Sequence, residues 1–308
     1  MPEISIIIPT CNRGEILAQT LRGVREASRD LDAEILVVND SKTSEVDVGG
    51  SGARLLSSGG AGAGGARNLG ARHAHGKLLI FFDDDILVSR RNLRRTLELH
   101  REHPGAVINL NWTYPPEMFE GLKKTSFGRF IQSSGLTTYR AFVADLPWRD
   151  EGVFEVPKVT ALYFSIDKSA FEAVGGFDEA FLNQGAEDDE FSRRVQASGR
   201  KMFIDASEFV LHYELDRLDL VRRLNRIKVG HLNKRLAAEM GMGECRMDYP
   251  PRKAAAYSLL SRAKPALLAL AAAIPNSSRL DWLYFRIVGV LIAIVIFEAY
   301  HRRDPRLI

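Results

Sequence analysis

Three apolar runs in the first 85 residues, each followed at once by polar residues, constrain the fold of this chain more than any other feature. They lie in ISIIIPTCNR (4–13), AEILVVNDS (33–41) and LLIFFDDD (78–85), and their unbroken apolar character is typical of strands buried on both faces. Apolar residues recur at helical spacing in 14–28, and a second helix is predicted near 66–76. Strands that alternate with helices in this way predict an α/β fold built on a parallel, doubly wound sheet.

Polar side chains stand at the end of each predicted strand. They are Asn12 and Arg13, then Asn39 and Asp40, then Asp83, Asp84 and Asp85. In open α/β sheets ligands bind beyond the carboxyl ends of the strands, so we expect these side chains to converge on one site. The three adjacent aspartates repel one another and therefore need a compensating positive charge.

The aspartate triplet contains a D-x-D pattern, formed by Asp83 and Asp85, at the end of a strand. Hard carboxylate oxygens at such a place suit Mg²⁺ or Mn²⁺ bridging a diphosphate, because the cation neutralises both partners. A helix N-cap is the alternative interpretation, and it explains one aspartate but hardly three. The triplet therefore favours a divalent-metal site.

A second acidic cluster, Glu187 to Glu190 in NQGAEDDEF (183–191), opens a predicted helix. The helix macrodipole stabilises acidic residues in a first turn, but four in succession exceed what capping requires. A carboxylate held there can act as a general base that takes a proton from an acceptor hydroxyl. His212, near the end of a short predicted strand, is either a packed or surface histidine or a metal ligand.

The glycine-rich stretch GGAGAGG (59–65) satisfies G-x-G-x-x-G through Gly60, Gly62 and Gly65. A dinucleotide-binding fingerprint should close the first strand of a βαβ unit, whereas this stretch lies far from the first strand and follows a weak one. The composition instead favours a flexible loop that lets Arg67 and Asn68 approach a ligand.

The C-terminal part of the chain has a different character. From Arg217 onward it carries 17 Lys and Arg against 7 Asp and Glu, whereas the whole chain carries 42 against 39, so the preceding part is mildly acidic. A basic amphipathic helix is predicted at 216–236, and the apolar stretches 266–274 and 287–297 that follow are each well short of the roughly 20 residues needed to cross a bilayer. Three interpretations stay open: a helical tail packed on the core, a monotopic or hairpin membrane anchor, and a single span.

Cysteine usage and the N-terminus suggest a compartment. The two cysteines, Cys11 and Cys245, are too few and too far apart for a disulfide framework, which favours reducing conditions. Met1 leads almost directly into the first strand, so no signal peptide is expected. We expect a cytoplasmic protein, peripheral on the cytoplasmic face of a membrane if the tail is an anchor. The apolar stretches of the tail fit a membrane better than nucleic acid, and no nucleic-acid partner is expected.

Taken in order, SIIIPTCNR, LVVNDS, GGARNLGA, FFDDDI, GGFDEAF, AEDDEF and LHYE resemble the motifs of family 2 glycosyltransferases with a GT-A fold. Each motif is weak alone, but their order over residues 3–214 is specific. The resemblance implies an inverting transfer of a sugar from a nucleotide diphosphate to an acceptor hydroxyl, assisted by Mn²⁺ or Mg²⁺. It also implies a Rossmann-like nucleotide-sugar-binding part at 1–105, an acceptor and catalytic-base part at 106–215, and a basic helical tail at 216–308.

The resemblance assigns roles residue by residue. The residues implied to bind the nucleotide sugar are Pro9, Thr10, Arg13, Asp40, Arg67, Asp83 and Asp84. Asp40 would bind the base, which fits a pyrimidine and makes UDP the default nucleotide, ahead of TDP and GDP. The residues implied to hold the metal are Asp85, Asp83 and His212, and Asp188 would be the catalytic base.

The chain departs from many polysaccharide-forming members of that family, because it lacks their Q-x-x-R-W motif and their strong transmembrane helices. Transfer of one or a few sugars to a carbohydrate, lipid-linked or other hydroxyl acceptor is therefore expected, with acceptor contacts from 110–160. Two alternative functions are a nucleotidyltransferase and a catalytically silent nucleotide-sugar-binding protein. The first normally has a glycine-rich loop at the first strand, which is absent, and the intact acidic motifs disfavour the second.

Overall fold

The computed structural model describes residues 2–143, 146–214 and 218–301, which form two compact units. The first unit comprises residues up to 115 together with 136–182 and 187–213. The second comprises 116–135, 183–186 and the residues from 214 onward, so it includes two segments that the sequence suggested were part of the catalytic domain. The predicted boundary at 215–216 lies outside the described residues.

The first unit is built on a mixed sheet. Within the described ranges its strands are β1 (Ile4–Thr10), β2 (Ala33–Asn39), β3 (Arg54–Ser57), β4 (Leu78–Phe82), β5 (Ile86–Leu87), β6 (Val107–Thr113), β7 (Val153–Glu155), β8 (Tyr163–Asp167) and β9 (Met202–His212). Their order is β3-β2-β1-β4-β8-β6-β9-β5, with β7 also pairing with β9.

The half of the sheet formed by β3, β2, β1 and β4 is parallel. Every residue of β1 and β4 is buried, because the helices α1 (Gly14–Ser28) and α2 (Gly62–His73) belong to the crossover connections of this half. The predicted α/β fold and the helix over 14–28 are confirmed. The other half is mixed: β8 runs antiparallel to β4 and β6, whereas β6 and β9 are parallel.

The sequence KMFIDAS (201–207) and FVLHYE (209–214) predicts two short strands, but the structure has one long strand, β9, in their place. Its pairing with β6 shifts register between Leu110 and Asn111, whose partners are Asp205 and Phe209, and polar residues between these partners separate the two stretches in the sequence. Its first half pairs with β7, and its last residue, His212, lies opposite Ile86 of β5. The sheet thus brings the end of β9 to the chain that directly follows the aspartate triplet.

The sequence of 105–155 shows scattered aromatic residues and no strong period, which predicts an irregular region, but the structure contains regular elements there. Buried Asn109 and Asn111 interrupt the apolar pattern of β6, and their side-chain oxygens accept backbone N–H groups of Thr160 and Tyr139 at 3.1 Å. The remaining helices of the first unit are α3 (Arg90–Glu102), α6 (Lys168–Val174) and α7 (Glu187–Ala197). Two short helices of the second unit also fall in this region: α4 (Pro116–Lys123) and α5 (Ser126–Ser133).

Long helices dominate the second unit: α8 (Leu220–Glu239), α9 (Pro251–Ala273) and α10 (Asp281–His301). Among the described residues one helix, Ser278–His301, is long and apolar enough to cross a bilayer, with a mean hydropathy of 2.2 and 39% of its most apolar window buried. The expectation that both apolar stretches fall well short of a span is therefore wrong for the second. Glu298 does not end the helix, because Lys264 of α9 compensates its charge at 2.7 Å.

Candidate active site

The three aspartates follow β4 in a turn, closed where the backbone N–H of Ile86 donates to the carbonyl of Asp83 at 3.1 Å. Asp83 pairs with Arg67, whereas Asp84 and Asp85 share Arg13. The side chain of Asp83 is 35% exposed, whereas Asp84 and Asp85 are buried. Repulsion within the triplet is thus reduced by two arginine side chains.

Asp84 is held by the end of β1 and the residue before α1. Thr10 donates its hydroxyl to Oδ2 of Asp84 at 2.6 Å, and the Arg13 guanidinium reaches Oδ1 at 2.5 Å. Burial raises the pKa of Asp84 to about 7, although Arg13 and Thr10 act in the opposite direction, and the adjacent charge of Asp85 adds to the rise. This carboxyl is poorly stabilised as an anion by the protein alone.

Asp85 faces both Arg13 and His212. The Arg13 guanidinium lies 2.8 Å from Oδ2 of Asp85, and Nε2 of His212 lies 3.4 Å from the same oxygen. The main chain fixes this contact, because the N–H of Tyr213 donates to the carbonyl of Asp85 at 2.8 Å. The indole of Trp112 packs edge-on against the imidazole of His212, with ring centroids 5.2 Å apart.

The structure therefore brings together two of the three predicted metal ligands. Asp85 and His212 offer one carboxylate and one imidazole, a donor pair that suits Mn²⁺. Asp83 instead pairs with Arg67, and the described part of the chain holds no group of three or more His, Cys, Asp or Glu side chains arranged for a metal ion. A cation here would need further ligands, which the oxygens of a bound diphosphate can supply.

Arg67 projects from α2 and is 3% exposed. Its NH2 group donates to Oδ1 of Asp83 at 2.7 Å, and its guanidinium lies 5.4 Å from the ring centroid of Phe177. Its Nε and NH1 groups are buried and make no hydrogen bond to the described part of the chain. Buried guanidinium donors without acceptors are costly, so this geometry is typical of an anion-binding position.

Asp40 lies just beyond β2 and is linked to the start of α2. Its carboxylate accepts a hydrogen bond from the Ser58 hydroxyl at 2.6 Å and another from the N–H of Gly62 at 3.0 Å. Gly62 has φ +79°, and a Cβ there would lie 2.6 Å from the carbonyl oxygen of Leu182, so only glycine fits. The prediction of a flexible loop across 59–65 is wrong, since the helix already begins at Gly62.

Asp188 lies in the first turn of α7. Its Oδ2 accepts the backbone N–H of Ala161 at 3.0 Å, while its Oδ1 is buried and makes no hydrogen bond within residues 2–143, 146–214 and 218–301. Burial raises the pKa of this carboxyl, although the charge of Arg67 and the N–H of Ala161 favour the anion. The neighbouring Asp189 is compensated separately by Lys158. Sequence reasoning missed Ala161 and Lys158, because neither carries a motif.

The remaining predicted residue, Pro9, is a buried part of β1 and bears on the site through the chain direction it gives to Thr10. Cys11 follows as an exposed thiol whose pKa is raised by partial burial and by the charges of Asp40 and Asp84. This thiol thus lies within the electrostatic field of both carboxylates.

Two family models match adjoining parts of the chain. The model described as glycosyl transferase family 2 matches residues 5–153. The model described as the N-terminal domain of galactosyltransferase matches residues 152–224.

Two curated relatives are also glycosyltransferases by name. Two proteins named validoxylamine A glucosyltransferase, from Streptomyces hygroscopicus subsp. limoneus and subsp. jinggangensis, are each 28% identical over 244 residues and cover 66% of this chain. The chain spans about half of their length, 50% and 54% respectively.

Solved structures show the same fold. A mannosyltransferase from Pyrobaculum calidifontis, in complex with GDP-Man and Mn²⁺, has a TM-score of 0.58 at 16% identity and covers 98% of this chain and 88% of its own. GalNAc-T7 with UDP, GalNAc and Mn²⁺ has a TM-score of 0.51 at 15% identity and covers 93% and 54%. At these identities the likeness concerns the fold.

Proposed function

The chain belongs to the family 2 glycosyltransferases, with a GT-A fold, and we propose that it transfers a sugar from a nucleoside diphosphate to an acceptor hydroxyl with inversion at the anomeric carbon, using a divalent metal. The observation that carries this proposal is the position of Arg67. Its buried guanidinium pairs with Asp83 of the aspartate turn at 2.7 Å, and its charge also acts on Asp188. The donor-binding turn and the candidate base therefore share one electrostatic environment.

The donor diphosphate would bind beside the aspartate turn. Asp85 and His212 would hold the metal, which supplies Lewis-acid stabilisation of the leaving nucleoside diphosphate when bound. The free N–H groups of Arg67 are suited to phosphate oxygens, because bidentate guanidinium–phosphate pairs are strong. Thr10 and Arg13 complete this wall of the pocket, and Asp40 would face the base.

Asp188 would take the proton from the acceptor hydroxyl. Its raised pKa makes it a stronger base than an exposed aspartate, and its unpaired Oδ1 is available to a hydroxyl donor once the acceptor is bound. Attack from the side opposite to the leaving diphosphate gives a single displacement, so no covalent intermediate on the enzyme is required. Inversion follows from this geometry.

The donor and acceptor are assigned by class. UDP is the favoured nucleotide, since a carboxylate such as Asp40 accepts the ring N–H of a pyrimidine, and TDP and GDP are the next candidates. A hexose is the favoured sugar, and the names of the two Streptomyces relatives make glucose the first to test. The acceptor is a hydroxyl of a carbohydrate, a lipid-linked or another small molecule.

The tail would hold the enzyme on the cytoplasmic face of a membrane. Large apolar side chains of α9 and the start of α10 are exposed, Leu259 at 66% and Trp282 at 60%. Arginine and lysine surround them in sequence, which suits an anionic lipid surface. Cys11 and Cys245 are both in the thiol form, which agrees with a reducing compartment.

Binding and product stereochemistry test this proposal together. We expect nucleoside diphosphates to raise the melting temperature of the full chain only when Mn²⁺ or Mg²⁺ is present, with UDP giving the largest shift. With UDP-glucose and a sugar acceptor panel, NMR of the product should show inverted anomeric configuration. Retention of the anomeric configuration would overturn the mechanism. Nucleotide binding that is equally strong with and without the metal would also overturn it.

A further inference from the structure

Helix α8 carries three contacts on one face, and they involve the chain on both sides of the candidate site. Arg226, Gly230 and Asn233 are spaced i, i+4 and i+7, so they lie along a single stripe of the helix. All three contacts are made within the second compact unit. The sequence predicted a basic amphipathic helix over 216–236, a range that includes these three residues.

Two of these contacts hold the loop Asn183–Ala186. The side-chain amide of Asn233 donates to the carbonyl of Asn183, and Asn233 is 5% exposed. Gly230 lies under Gly185, so closely that a Cβ on Gly185 would be 2.5 Å from the Cα of Gly230. The next residues in the chain are Glu187 and the candidate base Asp188.

The backbone of this loop is unusual. Gly185 has φ +104° and Ala186, which has a side chain, has φ +146°. L-residues rarely adopt such a conformation, and it persists only where surrounding structure determines it. The contacts with α8 are the surrounding structure on one side of the loop, so α8 helps to hold this backbone conformation.

The third contact holds the chain after β9. Arg226 forms an ion pair with Glu214, whose side chain is 5% exposed. Glu214 follows His212 by two residues, and the same short segment includes Tyr213, whose N–H is bonded to Asp85. One helical face therefore holds both the segment that precedes the candidate base and the segment that follows the candidate metal ligand.

We propose that this stripe of α8 is a positioning element for catalysis: Asn233 and Gly230 set the entry to Asp188, and Arg226 sets the exit from His212. The roles of Asp188 and His212 rest on the proposed function. Placement of a base within a fraction of an ångström strongly affects the rate of a transfer step, whereas donor binding depends on other residues. A change in the stripe near the loop should thus alter kcat more than donor KM.

The Asn233→Asp variant tests this directly, because it keeps the side-chain volume and replaces the donating amide by a carboxylate oxygen facing a carbonyl. We expect kcat to fall about 10-fold or more, with donor KM and the Kd of UDP with Mn²⁺ unchanged within about twofold. Asn225→Asp is the matched control, since Asn225 is an exposed residue of the same helix and the charge change is identical. The control should keep wild-type kcat.

Gly230 provides a second variant that does not weaken the helix. A Cβ at this position meets only ordinary contacts at 3.9 Å, so Gly230→Ala should be nearly silent. Gly230→Leu extends further into the loop while improving helix propensity, and we expect the same selective loss of kcat. For the other end of the stripe, Arg226→Gln should lower the affinity for Mn²⁺ measured by calorimetry, with Lys228→Gln as the charge-matched control.

The outcomes separate this inference from the proposed function. If wild-type protein transfers no sugar, or if Asp188→Asn is fully active, the proposed function fails. If Asp188→Asn is inactive while folded Asn233→Asp and Gly230→Leu keep wild-type kcat, the positioning role of α8 fails. A loss of kcat accompanied by an equal loss of UDP binding would also overturn it, because that result indicates general destabilisation.

Discussion

The guanidinium of Arg13 lies 2.8 Å from Oδ2 of Asp85, the oxygen that also faces His212. Arg13 reaches Asp84 as well, so one side-chain cation compensates two buried carboxylates. A metal ion held by Asp85 and His212 would place a second positive charge near this oxygen of Asp85. Arg13 and such a metal would therefore repel each other, and each would partly substitute for the other.

Replacing Arg13 by Gln should strengthen metal binding in the absence of nucleotide. Two unit charges about 4 Å apart repel by about 4 kcal/mol at an effective dielectric constant of about 20, so a rise in Mn²⁺ affinity of about 10-fold is a modest expectation. Isothermal calorimetry of the full chain with Mn²⁺ measures it. Arg22→Gln, on the exposed side of α1, is the control.

The same variant should be less stable without metal. Removing one partner of a buried ion pair leaves uncompensated charge and typically costs about 3–5 kcal/mol. Chemical denaturation of Arg13→Gln should show a decrease in the free energy of unfolding near the lower end of that range. Added Mn²⁺ should restore part of this free energy. A variant as stable as wild type would show that Arg13 does not compensate the aspartates.

Asp188→Asn should remove transfer while donor binding stays nearly intact. Loss of a general base lowers a rate by about 10²–10⁴-fold, and Asn keeps the hydrogen bond that the N–H of Ala161 donates. Single-turnover transfer and calorimetric UDP binding measure the two effects separately. The neighbouring Asp189→Asn, which loses a contact to Lys158, should retain most of the activity.

The pH dependence of transfer should follow Asp188. Burial raises its pKa, and a base must be deprotonated to accept a proton, so kcat/KM should increase with pH through an acidic limb lying above the usual aspartate range. The limb is read from the full kcat/KM profile at saturating Mn²⁺. An acidic limb at the ordinary aspartate pKa would contradict the buried environment of this carboxyl.

Cys11 should report occupation of the nucleotide pocket. It is an exposed thiol close enough to Asp40 and Asp84 for both charges to raise its pKa, so it should react slowly with iodoacetamide at pH 7 and faster as pH rises. UDP with Mn²⁺ should slow this reaction further by covering the thiol. Cys245 is buried and serves as the internal reference in mass spectrometry. Equal labelling with and without UDP would place the nucleotide elsewhere.

The parallel half of the sheet could be predicted because local sequence patterns specify its strands and helices. Uninterrupted apolar strands and amphipathic helices specify β1, β2, β4 and α1 without reference to the rest of the chain. Strand β6 was missed because Asn109 and Asn111 are buried polar residues whose partners, Thr160 and Tyr139, are distant in sequence. Helix α2 starts at Gly62 because Leu182 packs against it, another contact that no local pattern indicates.

The candidate residues could be named from the sequence, whereas the pairs that they form could not. Asp85 and His212 come together through the β5–β9 pairing, which spans more than a hundred residues of chain. The expected compensation of the aspartates was a metal, and the structure adds Arg13 and Arg67 as cations of the protein itself. Which carboxylate faces which cation depends on the turn after β4, and the D-x-D spacing alone does not specify it.

Membrane association should depend on the exposed apolar side chains of α9. Leu259 and Leu270 are 66% and 48% exposed, and two charged residues there would place carboxylates in the lipid interface. We expect the full chain to float with vesicles containing phosphatidylserine, and Leu259→Glu with Leu270→Glu to reduce the floated fraction several-fold. Leu55→Glu, an equally apolar exposed position on β3, is the control and should float like wild type. Unchanged flotation of the double variant would exclude α9 as the membrane-binding surface.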